Sequence, residues 1–527
     1  MSSSQLIAVP LLSKAGVKRD GTLYEGEFYT DNFWTRYDRG KPRKMGGIRM
    51  SSAFMHGPSR GMLLQAQGGD TTWLHNGWSA GIERSQILES GMATGAPVDR
   101  TPVGFLAHAD NLWIMDALYD AASAFTTIIA VAPQAATNIA SEVEAIIYYG
   151  DMSDSLPLVP LAPTDGPATV SGCVFCIPPY VFFGGTAGYF TWSVPNTPNS
   201  CATASGGGGA AGARIAKTKI LNGMVLRGGP GNSPAGLIWA IDSLIRMSFV
   251  GGSAIFDFDI ISENITVLSQ KAMAESDGVY FWAGMERFYV FNGVVRELPN
   301  ELNRNWFFDN MNWDQHEKAF TMRNSRWGEI WFCAPLFGAT ECSHAAIYNY
   351  RYNTWYDTEL PNGGRTAGQL AQILRFPMMM SAVAESSGLY RLWQHEYLVD
   401  QWVDGTPTAM RAYFDTADFA FPAGSVIGLP SARNLLEVER IELDMLLSQS
   451  ITIQAKKKSY PMADTVDGTT VTFNPANFNP LDPLTYAQFM REQGRLMRFR
   501  FESNALGGNF VQGDTQMFIQ PGDVRET

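Results

Sequence analysis

Four stretches of this chain set a tryptophan inside an apolar run just after a glycine: "GLIWAI" (236–241), "GVYFWA" (278–283), "GEIWFCA" (328–334) and "GLYRLW" (388–393). A turn and further strand-like runs follow each one. Two of the units also end alike, in Glu297-Leu298-Pro299 and Glu359-Leu360-Pro361. Weaker relatives surround Trp73, Trp113 and Trp192. From Trp73 to Trp393 the successive spacings are 40, 79, 47, 43, 49 and 62 residues. Most lie near the roughly 40–50 residues of one propeller blade, with the long gaps holding insertions. The competing reading is a large β-sandwich with aromatic strands.

Residues 278–299, "GVYFWAGMERFYVFNGVVRELP", show what one unit contains. Val279 to Trp282 reads as a strand, Gly284 to Glu286 as a turn, and Arg287 to Phe291 as a second strand. Asn292-Gly293 supplies the positive φ angles of a two-residue hairpin, and Val294 to Leu298 returns. Such a meander cannot bury both faces alone and must stack on neighbours.

The fold class expected is therefore mainly β: an irregular β-propeller core with loop insertions and a C-terminal β segment. Charged residues are only 17% of the 527, while glycine, proline and aromatics are plentiful, as suits a loop-rich β protein. Residues 1–50 read as an N-terminal docking arm. Residues 51–430 read as the propeller-like body, with an insertion around 115–215 that includes a short helix near 131–150 and a flexible Gly-rich loop at 204–217. Residues 431–527 alternate as strands and are expected to close the propeller or to form a small β layer.

The net charge of −12 argues against tight, non-specific nucleic-acid binding, which needs Lys and Arg on phosphates. Five cysteines, an odd number without a regular framework, point to reduced thiols and synthesis in cytoplasm. The N-terminus lacks the basic start of a signal peptide. The longest apolar stretch is short and broken by Pro133, so no membrane span is expected.

Candidate chemistry is sparse. Cys173 and Cys176 have the spacing of half a zinc site but lack a matching second pair. The glycines at 206–209 lack the Gly-Lys-Ser/Thr ending of a phosphate loop. Asp257 and Asp259 share one face of a strand and would suit glycoside hydrolysis, or simply a wet strand face. The six histidines form no His-Glu-x-x-His pattern. Lys456-Lys457-Lys458 reads as a solvated strand end. No catalytic, cofactor or metal residue is assigned, and the chain is not expected to be an enzyme.

The segment from Lys14 to Met50 departs from the acidic whole, with nine Lys or Arg against five acids. Its aromatics and cations are the residue types that anchor interfaces. Trp34, Arg36, Arg39, Lys41, Arg43 and Lys44 are the expected partner-docking residues. The bland alternative is an arm whose aromatics tuck into its own core.

"GVKRDGTLYEGEFYTDNFWTRYDRGKPRKMGG" resembles the opening of tail nozzle or hub proteins of short-tailed bacteriophages, where Arg-Asp-Gly-Thr leads to a Trp-x-Arg-Tyr/Phe-x-Arg-Gly-x-Pro-Arg-Lys run. "ESDGVYFWAGMERFYVFNGVVRELPNELN" and "NSRWGEIWFCAPL" are similar to the family's central propeller portion. "GRLMRFRFESNALGGNFVQGDTQMFIQPGD" is similar to its C-terminal end. The resemblance implies a structural virion protein of the tail, made in the host cytoplasm. Such a protein forms a hexameric ring below the portal, contacts the adaptor or head–tail connector and possible fibre or spike proteins, helps retain the genome, and passes double-stranded DNA without gripping it. Two other classes remain open: a receptor- or saccharide-binding propeller, and a propeller glycosidase or depolymerase.

Overall fold

The computed structural model describes residues 6–22, 27–67, 71–109, 111–132, 145–203, 207–227, 234–252, 254–371, 373–420, 434–479 and 481–524. Its larger body is a ring of seven sheets: six hold an antiparallel four-strand meander in chain order, and the last takes three strands in chain order and an N-terminal strand as its fourth. Blades 1 to 6 begin at Gly61–Ala66, Ile114–Asp120, Cys173–Ile177, Ile220–Val225, Met273–Ser276 and Phe320–Asn324, and blade 7 begins at Arg365–Gln369. These seven first strands are the innermost. Each packs on the next from blade 1 to blade 4 and from blade 5 to blade 7, and that of blade 7 packs back on that of blade 1. Blades 4 and 5 are tied where the Asn222 side-chain amide donates to the Gln270 carbonyl at 2.9 Å. The core is a seven-bladed β-propeller.

All seven tryptophans read from the sequence fall in successive blades, one to a blade. Trp73, Trp239, Trp282 and Trp331 lie on second strands, Trp192 and Trp393 on third strands, and Trp113 just ahead of a first strand. Their uneven strand positions account for the uneven spacing. The region expected as an insertion, 115–215, is itself blades 2 and 3. There the length lies in the connections, which hid the period. The helix expected near 131–150 falls partly outside the described residues, and its described end, Ala145–Asp151, is a strand of blade 2. The Gly-rich loop also lies partly outside them; Ala213–Arg214 at its far end is the last strand of blade 3.

Blade 5 is the meander read above. Its first two strands join through Asp277 and Gly278 at φ 53° and 80°, a two-residue loop with both angles positive. The Asn292-Gly293 hairpin differs from expectation. Phe291 pairs with Val295, so the loop has three residues, and only Gly293 carries a positive φ.

The ring is closed by an N-terminal strand. Ile48–Met55 pairs antiparallel with Tyr390–His395 as the fourth strand of blade 7. The C-terminal segment, expected to close the propeller or add a layer, instead folds with the rest of the N-terminus into a second β module. Three sheets of that module interleave the two ends of the chain. Ile7–Pro10 pairs with Gln516–Val524, Asp31–Phe33 with Ala412–Asp415, and Lys41–Lys44 with Phe510–Gln512. Neither end alone could satisfy these strand edges, which is why a separate arm does not form. The module's buried core, with Tyr29, Tyr37, Phe414, Phe499 and Phe501, is continuous with Trp331 and Met379 of blades 6 and 7.

Candidate functional site

Two polar constellations stand out: the propeller channel and the junction between propeller and terminal module. The channel holds a cavity of about 590 Å3 lined by the innermost strands of all seven blades. At one end the Lys271 ammonium, from blade 5, reaches the Arg60 carbonyl at the start of blade 1. The Arg60 guanidinium is fixed in turn by a two-bond pair with Glu341 at 2.8 and 2.7 Å, and Lys318 shares that carboxylate at 3.2 Å. Burial, and then the positive charge of Arg60, push Lys271 down to about 7. At the other end Glu275 lies between Arg323 at 3.3 Å and Arg227 at 3.5 Å.

Between them, Asp116 of blade 2 accepts the Cys176 N–H at 2.7 Å and the Ala117 N–H at 2.8 Å. Burial raises its carboxyl to about 6 against the pull of those two bonds. The channel's acids are thus committed to partners in the wall. A sphere of the cavity's volume is about 10 Å across. The major groove of B-DNA alone is about 12 Å wide, so the cavity is smaller than a duplex.

The junction gathers residues the sequence marked for docking. Arg36 is fully buried, and its guanidinium meets Glu329 of blade 6 at 2.7 and 3.1 Å and Glu396 after blade 7 at 2.8 Å. The remaining carboxylate capacity is filled by Tyr356 O–H at 2.6 Å and Trp331 Nε1–H at 2.9 Å on Glu329, and by Trp327 Nε1–H at 3.1 Å on Glu396. Trp34 is buried edge-on to Trp331 and donates its indole N–H to the Gly46 carbonyl at 2.8 Å. Lys44 is buried too, donating to the Met410 and Gly508 carbonyls at 2.6 and 2.7 Å. Trp34, Arg36 and Lys44 therefore serve this chain's own core and present nothing to a partner. Their places are fixed by the strand hairpin Thr35–Asp38 and Lys41–Lys44, which turns through Arg39 and Gly40 at φ 53° and 78°. Arg39 stands exposed at that turn. Lys41 pairs with Asp514, and Arg43 lies 3.4 Å from Asp38 and over the Trp327 ring.

A second anchor was missed by the sequence reading. Arg19 forms a two-atom pair with Asp357 of blade 6, with Nη2 at 2.9 Å, and also reaches Asp31 at 2.8 Å. The Asp20 carboxylate accepts the N–H groups of Asn305 and Trp306 at 2.8 and 2.7 Å, at the start of the helix Arg304–Asp309. The available signal was an acid inside a buried run, Glu329 in "GEIWFCA" or Asp357 in "TWYDTE", since a buried carboxylate requires a cationic or hydrogen-bonding partner.

The other candidates lie apart from both constellations. Cys173 and Cys176 are buried in the innermost strand of blade 3, where burial pushes both thiols up. Asp257 and Asp259 are exposed on the outermost strand of blade 4, Asp259 paired with Arg246 at 2.7 Å. The three lysines 456–458 are each paired, with Asp415, Glu492 and Asp418. Among the described residues no helix is long and apolar enough to cross a membrane.

No family model and no curated protein matches the chain. Among solved structures, the chain is similar to the WD40 β-propeller domain of Doa1 at TM-score 0.36 and 9% identity, over 66% of this chain and 97% of that one. It is similar to the computationally designed Ika8 protein at TM-score 0.35 and 9% identity, over 66% of this chain and 99% of that one. The propeller assignment rests on the closed ring of seven sheets.

Proposed function

We propose that this chain is a structural, non-enzymatic virion protein: a subunit of the tail nozzle of a short-tailed bacteriophage. It assembles with copies of itself into a ring beneath the portal and adaptor, helps retain the packaged genome, and conducts it at ejection. Fibre or spike proteins attach to the same tail.

One observation carries the reading. The three stretches that resemble the nozzle family, far apart in sequence, form one contiguous unit. Arg19 and Asp20 of the first stretch donate their backbone N–H groups to the Leu302 carbonyl of the second, at 2.7 and 2.9 Å. Lys41–Lys44 of the first pairs with Phe510–Gln512 of the third. Residues that fold onto one another in this way constrain one another, as parts of one rigid subunit do. The propeller channel is too narrow for a duplex, so the conduit in this reading is the hole between subunits. Closed rings of this kind use head-to-tail contacts between unlike patches.

The test is quantitative mass spectrometry of purified particles from the source of this gene, counting copies against the major shell protein. A copy number matching one six-membered ring is the expected result. Absence from the particle overturns the reading and turns attention to saccharide binding or hydrolysis.

A further inference from the structure

A pocket of about 220 Å3 lies where the helix Arg304–Asp309 meets blade 6 and the N-terminal strand Asp31–Phe33. Three rings make one corner of it. Between centroids, the Trp306 ring lies 5.9 Å from Phe337 and 5.9 Å from His344, and those two lie 5.1 Å apart. Glu359 stands directly opposite His344 in the strand register of blade 6, and Asp357, two residues back, shares its face. All of these residues line the pocket, as does Arg19.

One half of this arrangement is already filled. The Arg19 guanidinium lies over the Trp306 ring at 5.5 Å and pairs with Asp357 and Asp31. Its charge network is closed, because Arg19, Arg500 and Lys456 balance Asp357, Asp31 and Asp415. Glu359 stands outside that network. It is exposed, and its carboxylate has no partner among the described residues. Burial pushes the neighbouring His344 down to about 4, so its ring is uncharged at neutral pH. Phe337 is 57% exposed and holds φ at 55°, a conformation that bulky residues rarely adopt. The unfilled half is thus aromatic surface beside one unspent negative charge.

Aromatic faces next to a free carboxylate attract an organic cation. A guanidinium satisfies both, since it lies flat on rings and offers paired N–H donors to a carboxylate. Arg19 makes that same combination of contacts within this pocket. The volume is below the range of pockets for whole drug-sized ligands and suits a single head group. We propose that this pocket binds an arginine side chain of another polypeptide, its guanidinium against Phe337 and His344 and its charge on Glu359. The site does not depend on the ring assembly proposed above.

Saturation-transfer NMR titration of the full chain with a blocked arginine, acetyl-arginine N-methylamide, tests it. The blocked citrulline is flat but neutral, and the blocked lysine is charged but not flat. The arginine probe binds with a Kd of about a millimolar, tighter than either control. Glu359→Gln weakens it roughly tenfold and Phe337→Ala several-fold. Near-UV circular dichroism stays unchanged in both variants, because both side chains are exposed. Three results would overturn the proposal: no saturable binding of blocked arginine by the native chain, equal binding of blocked citrulline or lysine, or undiminished arginine binding by a folded Glu359→Gln or Phe337→Ala chain.

Discussion

The guanidinium of Arg36 lies against both carboxylate oxygens of Glu329, at 2.7 and 3.1 Å, and the two residues are 293 positions apart. This contact joins the terminal module to blade 6, and Glu396 extends it to the end of blade 7. Two buried acids share one buried cation, with Tyr356, Trp331, Trp327 and Asn324 completing the hydrogen bonds. Removing the cation leaves two uncompensated charges inside the protein. Arg36→Met is therefore expected to cost about 3–5 kcal/mol, read as a lower urea midpoint. Arg36→Met combined with Glu329→Gln and Glu396→Gln should recover part of that loss. Equal destabilisation by the single and triple variants would show that the charges are not the cause.

The same cluster sets an acid limit. Burial alone would raise the Glu396 carboxyl, but the charge and hydrogen bonds of Arg36 outweigh it, and the group is held below its ordinary 4.5. A depressed carboxyl contributes stability that is present above its unfolded value and lost as the pH falls through its folded value. Thermal unfolding should therefore show a falling melting temperature below about pH 4.5, and Glu396→Gln should shrink that fall.

Lys44 gives a dependence of the same sign on the alkaline side. Burial pushes its ammonium down to about 8, against the pull of Asp400, whereas the unfolded chain holds it at 10.5. Between those values the unfolded state binds more protons, so the contribution to stability rises with pH. Melting temperatures measured across that window should show this increment in the native chain and lack it in Lys44→Met. The variant should also be less stable overall, because the Met410 and Gly508 carbonyls lose their donor.

How much of this was legible depends on the range of the interactions. The meander of blade 5 and the tryptophan of each blade follow from local alternation and turn residues, and both can be read within ten residues. Blades 2 and 3 were hidden because Trp113 sits just ahead of a first strand and Trp192 on a third strand, and periodicity cannot register that. The junction was invisible for another reason. Aromatics and cations in "FWTRYDRGKPRK" fit an exposed interface and a buried one equally well. The deciding partners, Glu329 and Glu396, lie some 300 residues downstream. Closure by Ile48–Met55 is a pairing of distant strands and leaves no local mark.

Trp113 illustrates a contact written into glycines. A Cβ at Gly77 would lie 2.2 Å from the Trp113 ring, and one at Gly61 would lie 2.3 Å from its carbonyl oxygen. Blade 2 thus approaches blade 1 through two positions without side chains. Gly77→Ala forces the indole away and is expected to cost about 1–3 kcal/mol in chemical denaturation. A neutral result would mean that the blades separate without penalty.

The cations of the N-terminal hairpin divide into two sets with different expected consequences. Arg36 and Lys44 are internal, so Arg36→Glu or Lys44→Glu should abolish the folded chain, seen as loss of soluble protein or of near-UV circular dichroism. Arg39 is exposed and Arg43 is half-buried over the Trp327 ring, and the ion pair of Arg43 with Asp38 contributes about 0–1 kcal/mol. Reversing both, Arg39→Glu with Arg43→Glu, should lower the melting temperature modestly, through loss of the Trp327 contact and repulsion from Asp38, and leave the chain folded. If this turn meets an acidic surface on the adaptor or on a neighbouring subunit, the double variant should fold and yet fail to join particles, counted by the same mass spectrometry. Normal incorporation of a folded Arg39→Glu, Arg43→Glu chain would remove the hairpin from the docking surface altogether.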